Sequence, residues 1–361
     1  MHSSPSMSQP QIELSGVSKV YKTPAGNFLA LKDIDLSFGQ GEFTSIIGKS
    51  GSGKSTLINM ITGIDHPTKG SVRVEGKEIH RMKEGHLASW RGRSLGIIFQ
   101  FFQLLPTLSI LENTMLPMDF CNVYAPSERE EKALSLLKLV GLEDVAQKQP
   151  AALSGGQQQI AALARALANE PPILIADEPT GNLDSRTAER VLAIFEELAS
   201  QGKTILIVTH DPALTQKTSR QILISDGEII NESIAKALHH LSHPQLLKLT
   251  HLASPKEFLP EVPMSMDNDG SFGLCIIQNG EFEIRQIQAS GEEVVIGHIK
   301  SGEAISALEL EQNGEQIYSL RVSSSSPVCA LWLDPEAFQQ WLSNSPEARH
   351  GILRAASERS V

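Results

Sequence analysis

The chain is poor in cysteine: Cys121, Cys275 and Cys329 are its only three, far apart, odd in number and without metal-ligand spacing. That excludes a disulfide framework and a cysteine-ligated zinc module, and it suits a reducing compartment. Long apolar runs are also missing, and none approaches the roughly 20 residues that a membrane-spanning helix needs. Basic residues are outnumbered, 31 Lys and Arg against 42 Asp and Glu, for a net charge of -11. This argues against a partner held mainly through phosphate-backbone charge, so no nucleic acid is expected. No repeat of fixed period occurs, and no low-complexity run exceeds Ser323–Ser326. The start lacks the basic-then-apolar order of a secretory signal; Met1–Pro10 reads as a disordered tail, with Met7 a second candidate start.

What is present divides into parts. A length of 361 residues suggests about two domains. From residue 11 to 230 short strand-like runs alternate with helical stretches, the pattern of an α/β layer fold, ending in a hairpin-like run Ile222–Ile230 with Asp226-Gly227 at its turn. Residues 231–256 read as a helical linker, helical over Glu232–Leu252 and broken near Ser242-His243-Pro244. Residues 257–361 alternate in short runs with turn signals, including Asn279-Gly280 between Leu274–Ile277 and Phe282–Ile287, a mainly β pattern closed by helices. From 231 onward there are 17 Asp and Glu against 9 Lys and Arg, so most of the negative charge sits there.

The clearest chemistry lies in Gly48-Lys49-Ser50-Gly51-Ser52-Gly53-Lys54-Ser55-Thr56, which follows the strand-like Phe43–Ile47 and precedes the helix-like Ser55–Ile61. It matches G-x-x-x-x-G-K-[ST], the phosphate loop. Its glycines let backbone N–H groups converge on phosphate oxygens, and the following helix adds its positive end. Lys54 is then placed for the β/γ-phosphates and Ser55 for Mg²⁺. Downstream, the apolar run Ile173–Ala176 ends in Asp177-Glu178, two carboxylates at a strand end, suited to a Mg²⁺-associated acid and a water-polarising one.

Leu153-Ser154-Gly155-Gly156-Gln157, about 20 residues before Glu178, resembles the signature of ATP-binding-cassette (ABC) ATPases. The resemblance covers about 220 residues. It implies ATP and Mg²⁺ as cofactors, Tyr21 as an adenine-stacking aromatic, and Gln100 with Ser55 and Asp177 around Mg²⁺. It further implies Glu178 as the residue that polarises water, His210 as a γ-phosphate contact, and Asp184 in Asn182-Leu183-Asp184 as part of the nucleotide site. In the family two cassettes face head to tail, so Ser154, Gly155, Gly156 and Gln157 of one address the nucleotide held by the other. Where members often read Gln-Gln-Arg-Val, this chain has Gln158-Gln159-Ile160-Ala161, which puts a local surface contact in doubt.

Phe102–Leu108, Leu111-Glu112-Asn113 and Thr180–Asp184 are similar to the lipoprotein-release and macrolide-exporter branch. This implies a separately encoded membrane permease, a position on the cytoplasmic face of the membrane through that permease, and a helical subdomain between Gln100 and Leu153 with Leu104, Leu105, Leu108 and Met115 as exposed anchors. A mechanotransmitting cell-envelope or cell-division ATPase, or a ligand-sensing soluble ABC protein, stays as the alternative. The C-terminal part resembles the cyclic-nucleotide-binding fold in order and spacing, a β-roll with flanking helices. Its anion anchors are replaced by Ser306-Ala307 and Tyr318, with Arg321 shifted, which implies a degenerate regulatory or dimerisation module. His239, His240, His243 and His251 read as a solvated linker rather than a metal site, although His239 and His243 have i,i+4 spacing. Trp332 and Trp341 read as core.

Overall fold

The computed structural model describes residues 10–24, 26–181, 183–260, 264–266, 272–288, 291–311, 317–323 and 326–358. The expected tail, Pro10 apart, the alternative start Met7 and Asn182 lie outside the described residues. The chain divides into two compact units between Glu228 and Ile229.

The first unit is built on a six-stranded sheet in the order Glu228–Ile229, Arg220–Ser225, Phe43–Ile47, Thr204–Val208, Ile173–Asp177, Leu95–Ile98. Phe43–Ile47 pairs in parallel with both Thr204–Val208 and Arg220–Ser225, and Ile173–Asp177 pairs in parallel with Leu95–Ile98 and Thr204–Val208. Ile173, Leu174, Ile175 and Ala176 are fully buried, as a strand covered on both faces requires. Parallel register sets Ile46 beside Val208, Val208 beside Asp177, and Ala176 beside Ile98. The loops leaving these strands therefore emerge at one edge. Asp226 and Gly227 both have positive φ, 51° and 79°, as the predicted tight hairpin turn demands.

An antiparallel sheet in the order Gly26–Phe38, Ile12–Thr23, Lys69–Val74, Lys77–Glu78 completes the strands of this unit. Helices Ile110–Cys121, Pro126–Val140 and Gly155–Leu167 share one apolar core, with Leu111, Met118, Leu137, Ile160 and Leu163 buried together. Each such side chain contributes about 1.5–3 kcal/mol on burial. Two expectations are corrected here. Ile160 is 6% exposed, so the departure from Arg falls in the core and no surface contact is at stake. Of the four expected anchors, Leu104 and Met115 pack partly against that core, Leu108 is half-buried, and Leu105 alone is exposed. The most exposed large apolar groups of this region among the described residues are Phe101 and Phe120, at 77% and 82%, ahead of Leu105, Leu134 and Leu139. Asn113 donates to the carbonyls of Leu105, Leu108 and Ser109 and accepts from the amide of Leu105, which folds the 105–109 loop back onto the helix start.

The second unit holds two four-stranded sheets of antiparallel pairs, Ser254–Phe258, Val328–Leu333, Leu274–Asn279, Ala304–Ser306 and Met264–Met266, Ile317–Val322, Glu281–Ile287, Glu293–Lys300, in those orders. Asn279-Gly280 does not pair the runs on either side of it: Leu274–Asn279 and Glu281–Ile287 belong to different sheets. Gly280, at φ 93°, is a corner between them, and a Cβ there would lie 2.8 Å from Val328 Cγ2. The helical stretch is also corrected. It forms two helices, Glu232–Ala237 and His243–Leu252, and Pro244 lies in the first turn of the second, where its missing N–H costs nothing. Residues 231–256 are not solvated throughout, because Ile234, Leu238, Leu241, Leu246 and Leu249 are buried. Trp341 is buried, and Trp332 is half-buried against Phe258 and Phe272. Helices Pro335–Ser343 and Ala348–Ser357 close the unit.

Candidate functional site

The loop after Phe43–Ile47 is held in a shape that its side chains could not otherwise take. A Cβ on Gly48 would lie 2.4 Å from both the Ile224 carbonyl oxygen and Ser52 Oγ, and one on Gly53, at φ 108°, would lie 2.7 Å from the Ala30 carbonyl oxygen. Only glycine fits either position without moving the backbone. Lys54 opens the helix Lys54–Thr62, and its Nζ donates back to the carbonyls of Gly48 and Lys49 at 2.6 and 3.0 Å. Ser52 Oγ is buried without a hydrogen-bond partner among the described residues, an orphan donor inside the loop.

A cavity of about 470 Å³ opens over this loop. Ser50, Gly51, Gly53, Lys54, Ser55 and Thr56 line one side. Gln100, Asp177, Glu178, Gly181 and His210, from the ends of the neighbouring strands, line the other. Ser55 Oγ donates to Asp177 Oδ2 at 3.3 Å, and His210 Nε2 lies 3.5 Å from Glu178 Oε1. Glu178 sits at φ 49°, a left-handed conformation uncommon for a side-chain-bearing residue, and its amide donates to the Val208 carbonyl. Burial is the leading perturbation of all three charged groups. It pushes the Lys54 ammonium down, although Glu178 and Asp177 pull it back up, and it pushes the carboxyls of Asp177 and Glu178 up.

The glycine cradle, the orphan hydroxyl and one cation fit a phosphate chain. The hydroxyl–carboxylate pair Ser55 and Asp177, with the Gln100 amide in the same wall, is a hard oxygen donor set fit for Mg²⁺.

Other predicted residues stand elsewhere. Tyr21 turns its hydroxyl to Asp65 Oδ2 at 3.0 Å, with Lys19 Nζ 4.9 Å from its ring centre. The aromatic on the cavity wall is Phe28, directly opposite Tyr21 in the strand pair and 55% exposed. Asp184 is the N-cap of helix Ser185–Ser200, accepting from the Thr187 amide. Lys49 contributes its carbonyl to Lys54. Ser154 caps helix Gly155–Leu167 in a reciprocal box: its Oγ accepts from the Gln157 amide, and Gln157 Oε1 accepts from the Ser154 amide. Ser154 and Gly155 are exposed and Gly156 and Gln157 half-buried, and none of the four lines the cavity.

Two residues escape a sequence reading. Phe28 is found only through its register with Tyr21. Arg165, on the signature helix, donates to the carbonyls of Phe102 and Gln103 at 2.8 and 2.6 Å, tying that helix to the segment after Gln100. Its sole signal is a cation amid the apolar residues of that helix.

Among known families, a model described as ABC transporter matches residues 31–181. The uncharacterized ABC transporter ATP-binding protein YvrO of Bacillus subtilis is 45% identical over 219 residues, 61% of this chain and 95% of the relative. The lipoprotein-releasing system ATP-binding protein LolD of Anaeromyxobacter dehalogenans is 46% identical over 222 residues, 61% of this chain and 93% of that protein. A dimeric structure of a post-hydrolysis state of the ATP-binding cassette MJ0796, bound to ADP and Pi, is 42% identical and superposes with a TM-score of 0.59 over 61% of this chain and 97% of that one.

Proposed function

Because the chain belongs to the ABC transporter ATP-binding family and is an ABC-type ATPase, we propose that it is the hydrolytic subunit of a transporter of the lipoprotein-release or macrolide-exporter type, acting as a head-to-tail homodimer on a separate membrane permease from the cytoplasmic side. The observation that carries this reading is the division of the site. Lys54, Asp177, Glu178 and His210 share one cavity, whereas the exposed start of the Ser154 helix lies outside it. A second copy would bring that helix start, with the Gly155 and Gly156 amides and its positive end, to the open side of a nucleotide. Among the described residues no helix is long and apolar enough to cross a membrane.

In this reading the amides of Gly48–Thr56 and the Lys54 ammonium hold the β/γ-phosphates, and Phe28 forms the aromatic side of the base site, with Tyr21 beside it in the strand pair. Ser55, Gln100 and Asp177 would hold Mg²⁺, which supplies charge neutralisation when bound. Glu178, made more basic by burial, accepts a hydrogen bond from the attacking water and orients it, while His210 stays within reach of both Glu178 and a γ-phosphate. Asp184, as a helix cap, fixes the turn that follows Glu178.

For the second unit we propose a cyclic-nucleotide-binding-like roll with a regulatory or dimerising role and without a cyclic-phosphate site. Ser306 directs its N–H and Oγ to Glu309, Ala307 has no side-chain donor, and Arg321 pairs with Glu293 at 3.0 Å.

The test is a pull-down of the Glu178→Gln protein with ATP and Mg²⁺ from native membranes, with identification of what co-purifies. A polytopic partner is the expected result. Recovery of soluble proteins alone, under conditions where other membrane complexes survive extraction, overturns the permease assignment and favours the soluble alternative.

A further inference from the structure

The histidines after helix Glu232–Ala237 lie at i,i+1, not along a helix, and the fold brings them a third ligand from 118 residues away. Glu358, just past the end of helix Ala348–Ser357, presents Oε2 to His240 Nε2 at 2.8 Å and to His239 Nε2 at 3.3 Å. All three ligand atoms lie within 4.8 Å of one another, and the two rings stand 4.0 Å apart, tilted by 45°. Tetrahedral zinc with bonds near 2.0–2.1 Å sets its ligand atoms about 3.3 Å apart. The cluster therefore needs its ligand separations to change by no more than about 1.5 Å to close on an ion.

The groups behind the ligands face the right way. His239 Nδ1 lies 3.4 Å from the Lys236 carbonyl oxygen, an acceptor for the Nδ1–H that the ring would carry with a metal on Nε2. Arg354 Nε lies 3.4 Å from Glu358 Oε1, the carboxylate oxygen the histidines do not use. An outer partner on each of these two ligands is the usual support of a metal-binding trio. Two imidazoles and one carboxylate suit Zn²⁺ or a similar transition ion better than Mg²⁺ or Ca²⁺, which favour all-oxygen sets.

We propose that His239, His240 and Glu358 form a zinc-type metal site, with a fourth position open to water, that pins the turn after the first helix of the second unit to the end of its last helix. The site is independent of the nucleotide cavity, and the inference does not rest on the transporter reading.

The test uses the full-length protein stripped with a chelator and then titrated with ZnCl₂ by calorimetry, with Co²⁺ absorption as a second readout. His239 and Glu358 are both exposed, so His239→Ala and Glu358→Gln should fold, which circular dichroism and unchanged ATP affinity would verify. The expected result is one zinc per chain, a tetrahedral Co²⁺ spectrum and a rise in melting temperature on adding zinc. Each variant should weaken binding at least tenfold and abolish the rise. Absence of zinc uptake by the stripped wild type overturns the proposal, and so does uptake that both variants retain unchanged, which would point to ligands elsewhere such as the exposed thiol of Cys329.

Discussion

Ser154 is both a helix cap within its own chain and, in the proposed dimer, a donor to a nucleotide on the partner, and the two roles can be separated by substitution. Ser154→Ala removes the Oγ that accepts from the Gln157 amide and is expected to cost about 1 kcal/mol of unfolding free energy. If the same hydroxyl also donates to a γ-phosphate, each site loses a hydrogen bond to a charged acceptor, about 1.5–3 kcal/mol. Two equivalent sites in a head-to-tail dimer double that, to about 3–6 kcal/mol, which weakens the ATP-dependent dimer by roughly 10² to 10⁴. Ser154→Asp distinguishes the roles. Aspartate is as good a cap as serine and its charge suits a helix start, so stability should stay within about 0.5 kcal/mol of wild type. Its carboxylate would nonetheless face a phosphate, and the dimer should be lost. Urea unfolding reads the first quantity, and sedimentation velocity with ATP and Mg²⁺, in the Glu178→Gln background, reads the second. A Ser154→Asp protein that dimerises like its parent refutes the interface role and leaves Ser154 an ordinary cap.

Because burial raises the Glu178 carboxyl, its ionised form is disfavoured in the folded, nucleotide-free chain. That penalty is absent at low pH, where folded and unfolded chains are both protonated, and sets in as pH rises above the ordinary carboxylate range. Glu178→Gln should therefore melt higher than wild type at pH 7, with a difference that shrinks as pH falls through that range; a constant or reversed difference contradicts the assignment. Ile160→Ala should cost about 2–4 kcal/mol in urea unfolding, as a core truncation does, and a loss under about 1 kcal/mol would return position 160 to the surface. Phe28→Ala should weaken ATP by about 1–3 kcal/mol, the worth of one stacked base, without affecting inorganic triphosphate. Equal losses for the two ligands would show that Phe28 supports the loop and not the base.

Much of the first unit was legible residue by residue, because its chemistry is carried by contiguous runs. The buried run Ile173–Ala176, the glycine loop 48–53 and the Ser154 cap each need only neighbours a few positions away, so their local backbone follows from side-chain size, φ preference and capping. The same logic misled where direction depended on distant packing. Asn279-Gly280 has the chemistry of a hairpin turn but joins two sheets, since their packing rather than the dipeptide decides which strand comes alongside. Leu104, Leu108 and Met115 look like anchors by composition alone, and the exposure of Phe101 and Phe120 follows from how the helices 110–121, 126–140 and 155–167 close on one another.

The sequence by itself determined the phosphate loop, the paired carboxylates, the capped signature helix and the β character of the second unit, all consequences of short-range spacing. Only the tertiary structure decided which of these share a cavity: parallel pairing lines up the ends of strands far apart in the chain, so Gln100, Glu178 and His210 meet Lys54 while Ser154 and Asp184 do not. It likewise put Phe28 on the wall opposite Tyr21 and Glu358 beside His239 and His240. Distances along the chain set conformation through local sterics, whereas distances through space are set by the burial of apolar faces, and ligand sets are made of the latter.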